Sequence, residues 1–80
     1  MRPDEILFWV RNVPFAPFRI RLNSGRTYDI RHPEMIKVGR SSVNIFTYSG
    51  DPSEPYEKME MLGLILIESI EPISSATPAN

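Results

Sequence analysis

The stretch FRIRLNSGRTYDI, residues 18–30, fixes more about the fold than any other part of the chain. Phe18, Ile20 and Leu22 alternate with Arg19 and Arg21, and Tyr28 and Ile30 alternate with Thr27 and Asp29. A period of two puts each set on its own side of a pleated strand, so both segments read as half-buried strands of one hairpin. A two-residue turn at Ser24-Gly25 would pair Ile20 with Asp29 and mix the faces. A three-residue loop, Asn23-Ser24-Gly25, pairs Ile20 with Tyr28, Phe18 with Ile30 and Arg19 with Asp29. It also puts Gly25 at the left-handed third position that such loops require. The second register is the expected one.

The flanks give weaker signals. Pro3 suits a first helical position, Asp4 and Glu5 favour the positive end of a helix dipole, and Pro14 forbids continuation, so a helix over about 3–12 is expected. Ile6, Trp9, Val10 and Val13 share its apolar face, with Leu7 and Phe8 beside them and Trp9 as the expected anchor. The prolines of VPFAPF make an extended connector. After the hairpin, Pro33 bends or breaks the second strand, a stub follows around Met35–Val38, and Val43–Tyr48 is rich in strand formers. SGDPSEPYEK reads as a polar, mobile loop. In MEMLGLILIESIEPI the alternation slips between Ile67 and Ile70, which calls for a bulge or a helical turn near Gly63–Ile67.

These elements make a mainly β domain over residues 1–73 with a disordered tail at 74–80. A short N-terminal helix and about five strands joined by hairpins suit a small, bent open barrel, with a two-layer α+β sandwich as the alternative. Eighty residues without cysteine must hold together by packing or by oligomerisation. The longest apolar run near the start, Ile6–Val10, is too short for a leader or a membrane span, so a cytoplasmic location without membrane contact is expected. Charge is uneven along the chain. Residues 1–40 hold eight basic and four acidic side chains, and residues 41–80 hold one basic and six acidic. The halves either neutralise each other within the fold or present opposite faces to partners.

Two resemblances follow from these motifs. PFAPFRIRLNSGRTYDIRHPE together with LILIESIEPI resembles a group of small bacterial proteins with a PF-x-PF…DGR…HPE pattern, which implies no activity. FRIRLNSGRTYDI followed by SVNIFTY is similar to the first motif of Sm-like proteins. That resemblance implies a five-stranded Sm-like or SH3-like open barrel behind an N-terminal helix, assembly into a ring, and binding of single-stranded RNA. Gly25 and Arg26 match the hairpin, and Asn44 falls where the family places a base-contacting asparagine. Arg40 stands where an acidic residue belongs, and Leu62-Gly63 replaces the Arg-Gly pair of the second motif.

The candidate sites are few. His32 has only Glu34 and Asp29 near it in sequence, too few ligands for a metal and no nucleophile for catalysis, so a structural role at a strand end is expected. Neither a phosphate loop nor a catalytic motif is present, and no cofactor is expected. Arg19, Arg21, Arg31 and Arg40, with Asn44, form the candidate nucleic-acid surface, and Tyr28, Phe46, Tyr48 and Tyr56 offer rings for stacking. The plainer account pairs Arg19 with Asp29 across the hairpin. Leu7, Phe8, Leu62, Leu64 and Leu66 are the candidate interface between copies, because a strand buries only about half of such a run. The expectation is a non-enzymatic homo-oligomer that takes RNA. The alternatives are a protein-interaction or scaffolding module without nucleic acid, and a subunit of an enzyme whose chemistry lies on another chain.

Overall fold

The computed structural model describes residues 1–48 and 57–73. Strand β1 (Phe18–Leu22) pairs antiparallel with β2 (Thr27–Ile30), and the register sets Phe18 opposite Ile30, Arg19 opposite Asp29 and Ile20 opposite Tyr28. The expected register is the one observed. Leu22 N–H donates to the Arg26 carbonyl at 2.9 Å, and Gly25 N–H donates to the Leu22 carbonyl at 2.9 Å. Gly25 has φ +95°, the left-handed region where a side chain is strained.

Pro33 breaks the second strand as expected, and this makes the strand count six among the described residues. A 3₁₀ turn (Pro33–Met35) carries the chain from β2 into β3 (Ile36–Val38). Strands β4 (Ser42–Tyr48) and β5 (Glu57–Gly63) follow, then a second 3₁₀ turn (Leu64–Leu66) and β6 (Ile67–Pro72). The strands form two three-stranded antiparallel sheets, in the orders β2-β1-β6 and β3-β4-β5. The loop expected at residues 49–58 lies mostly, and the tail at 74–80 wholly, outside the described residues.

The slipped alternation near the C-terminus has both of its proposed causes. The turn at Leu64–Leu66 is one. The other is a bulge: Arg21 pairs with Ser69 while Leu22 pairs with Ile67, which leaves Glu68 as an extra residue in β6. The bulge lets Ile67 and Ile70, three apart, both pack on the core.

Six side chains are sealed from solvent: Phe18, Ile20 and Ile30 from the first sheet, Val43 and Ile45 from the second, and Ile6 from helix α1 (Pro3–Val10). Ile6, rather than Trp9, is the helix anchor, and its burial stabilises the docked helix by roughly 1.5–3 kcal/mol. Trp9 is half-buried, with its ring centroid 5.7 Å from that of Phe18. Glu5 accepts the Arg2 N–H at 2.8 Å and ties down the first turn. The helix stops at Val10, short of the expected residue 12, and Pro14 has no N–H to donate to the Val10 carbonyl and a ring that would clash with it in a longer helix. Val13 therefore leaves the apolar face and is 90% exposed.

Gly25→Ala tests the hairpin directly. No atom lies within 4 Å of an added Cβ, so the cost is backbone strain alone. Urea unfolding should show a loss of about 1–3 kcal/mol, and Gly25→Asn should lose less.

Candidate functional site

The outer faces of the two sheets carry the residues singled out by sequence, and they differ in chemistry. On the first sheet Arg19 is bound twice to Asp29, Nε to Oδ1 at 2.7 Å and Nη2 to Oδ2 at 3.3 Å. Arg31 Nη2 approaches the same carboxylate at 3.6 Å. Arg21 Nη2 donates to Glu71 Oε1 at 2.8 Å. The Arg19 hydrogen bond, against some desolvation, holds the Asp29 carboxyl below its ordinary range, and the charges of Arg19 and Arg31 add to the effect. Exposed pairs of this kind contribute less than about 1 kcal/mol each, so they would not bar a ligand. What they remove is field: three guanidinium groups share two carboxylates. The cross-hairpin pairing of Arg19 with Asp29 is the plainer of the two sequence accounts.

A second group joins the sheets. Tyr28 on β2 donates its hydroxyl to Glu60 Oε2 on β5 at 2.9 Å. Arg26 donates to the same oxygen at 3.3 Å and lies over the Tyr28 ring at 5.4 Å. Burial raises the Tyr28 pKa, and the bond to an anionic acceptor raises it further, while the Arg26 charge works the other way. Sequence reasoning passed over Glu60 as part of an apolar run. No sequence signal marks it: Glu60 shares a strand face with the buried Leu62, a phase set only by pairing with β4, and a carboxylate on that face needs partners.

The outer face of the second sheet carries an apolar strip, Phe46, Met59 and Met61, beside the polar Lys37, Ser42 and Asn44. Asn44 on β4 lies between Lys37 on β3 and Met61 on β5, and Phe46 lies opposite Met59. Met59 is 54% and Met61 65% exposed. The line continues past Gly63, where Ile65 Cγ2 stands 3.9 Å from the place of an added Cβ, and Ile65 is 84% exposed. Asn44 Oδ1 is buried in this face with no hydrogen-bond partner, an arrangement that costs about 1–3 kcal/mol. An antiparallel sheet with one wet side ordinarily turns polar residues outward. This one does so only in part.

The expected interface residues separate. Leu62 and Leu64 are 7% and 4% exposed and belong to the core, because β5 turns Met59 and Met61 outward and so Leu62 inward. Phe8 and Leu66 are exposed and Leu7 is half-buried. Leu7 and Phe8 line a cleft of about 450 Å³ with Asp4, Arg11, Asn12 and Val13. Arg40 is exposed and lines another, of about 400 Å³, with Arg2, Ser41, Leu64 and Ile65. His32 is exposed at the corner before Pro33, and its carbonyl accepts the Met35 N–H at 3.0 Å. Among the described residues no three His, Cys, Asp or Glu side chains are grouped to hold a metal ion, and no helix is long and apolar enough to cross a membrane. No family model, curated protein or solved structure matches this chain.

The Tyr28–Glu60 bond has a titration signature. With Tyr48 and Tyr56 replaced by Phe, ultraviolet titration should place the remaining phenol above the ordinary value of about 10, and Glu60→Gln should lower it. A raised phenol pKa contributes stability that is complete below about pH 10 and lost as pH climbs through the folded value. A phenol that titrates alike with and without Glu60 would leave burial as the whole cause.

Proposed function

We propose that this chain is a non-enzymatic association module of the cytoplasm that binds further copies of itself, on the strand path of an Sm-like or SH3-like open barrel. The observation that carries the reading is the solvent-facing apolar ridge of Met59, Met61 and Ile65. Soluble monomers rarely leave such patches uncovered. Strand edges add to it, since β5, seven residues long, pairs only with β4 among the described residues. In support of the barrel, β2 passes into β3 and β5 into β6 through single 3₁₀ turns, so one strand path runs through both sheets. Light scattering at concentrations up to about 1 mM is the test. A mass above the 9.2 kDa of one chain is expected, and a lone 9.2 kDa species throughout would end the proposal.

Single-stranded RNA is the second reading, and the unpartnered Asn44 oxygen favours it. Lys37, opposite Asn44, and Arg40, in the turn that leads into β4, make no ion pair with another described residue, and Phe46 offers a ring for stacking. Arg19, Arg21 and Arg31, largely offset by Asp29 and Glu71, add less to it. Affinity for a short RNA should fall steeply with salt, and Lys37→Glu with Arg40→Glu should weaken it more than replacement of the three paired arginines. Absence of binding at low salt would leave a protein-interaction or scaffolding module without nucleic acid.

A further inference from the structure

We infer that the outer face of the second sheet is a two-fold contact between copies of this chain, centred on Asn44, in which the two Asn44 carboxamides pair with each other. This rests on the association reading and deepens it by naming the face and the symmetry.

The first argument is hydrogen-bond complementarity. Asn44 sits on β4, the central strand of its sheet, with its Oδ1 sealed and unbonded although the residue as a whole is half-buried. A carboxamide carries an acceptor and two donors, and rotation about χ2 interchanges them. Once each carboxamide turns about χ2 to bring its oxygen out to the face, a second Asn44 brought face to face donates to one oxygen and accepts with its own. Two reciprocal bonds then satisfy both groups, with nothing required from any other kind of partner.

The second argument is charge. At the register positions of this face, Phe46, Met59 and Met61 are apolar and Ser42 is neutral, and the charged residues are one lysine, Lys37 at the β3 margin, and one carboxylate, Glu57 at the far end of β5. A charged partner finds no matching cluster here, whereas flexible thioethers repack readily against copies of themselves. A two-fold axis along the strands lays β3 of one copy over β5 of the other. The two Lys37 residues then stand about 10 Å apart across the sheet and about 10 Å apart through the stack. That separation exceeds the screening length of about 8 Å at physiological salt. Each Lys37 stem lies along the Met61 of the other copy.

The third argument is area. Two strands of seven residues and one of three, about 4.8 Å apart and at about 3.4 Å per residue, offer about 280 Å² per copy. Stable interfaces use about 800 Å² per partner, so this contact forms and dissolves with concentration, even where Ile65 extends it.

Sedimentation equilibrium decides the matter, with the fold of each variant verified by circular dichroism. Asn44→Asp sets two carboxylates against each other. It should raise the dimer dissociation constant at least about tenfold at pH 7 and restore it below about pH 4, where the carboxyl groups are protonated and pair as the amides did. Met61→Lys, at a site 65% exposed, should raise it by a similar factor at both pH values. Phe8→Ser, on the helix, should leave it unchanged. A wild-type oligomer indifferent to Asn44→Asp and Met61→Lys would overturn this face and leave self-association standing. So would one dissolved by Phe8→Ser alone. Weakening by Asn44→Asp without recovery in acid would overturn the carboxamide pairing. A wild-type chain that stays monomeric up to about 1 mM would overturn both readings.

Discussion

Strand β1 has no free edge, and the remainder of the fold is arranged around that fact. Phe18, Ile20 and Leu22 point into the core while β2 pairs on one side and β6 on the other. A shift of one residue in either ladder would turn all three apolar side chains into water, at roughly 1.5–3 kcal/mol each. With β1 pinned, the ends of β2 and β6 are pinned too. The two 3₁₀ turns that lead to and from the second sheet start from those ends. The ring of Phe18 also receives the N-terminal segment, with Phe15 and Trp9 packed against it at centroid distances of 5.9 and 5.7 Å.

The two sheets divide the surface between them. The first meets water in the ordinary way, with its arginines matched to carboxylates on neighbouring strands. The second hides its polar requirement instead: one amide oxygen lies unbonded among methionines and a phenylalanine. Surface ion pairs contribute little and an unpaired buried acceptor costs more, so the energetic asymmetry favours cover for the second sheet. That is why the association reading rests there and not on the arginines that dominate the sequence.

Local chemistry made the hairpin legible, because alternation and the Gly25 position leave a single consistent register. The break at Pro33 and the irregularity before Ile67 were legible for the same reason, since proline and a slipped period are local signals. The phase of β5 was not. MEMLGLILI holds apolar residues at both parities, so periodicity does not say whether Met61 or Leu62 faces in. Pairing with β4 settles that, through Val43 opposite Leu62 and Asn44 opposite Met61. The helix anchor was misplaced for a related reason. Trp9 is the largest apolar group on its face, but full burial went to the smaller Ile6, while Trp9 packs at the edge of the core. The Glu60 cluster depends on strands remote in sequence, and no local pattern announces it.

The extra residue in β6 has a consequence for how this fold tolerates changes in chain length. In a regular strand, removal of one residue reverses the sidedness of everything beyond it. At Glu68 the opposite holds: without it, Ile67 and Ile70 would become alternate residues of an ordinary strand, with both still directed inward. The bulge is a hinge in the alignment of the chain with its neighbour, where a codon can be lost without exchanging inside for outside. Lineages of this fold can therefore differ by one residue there while keeping the same interior.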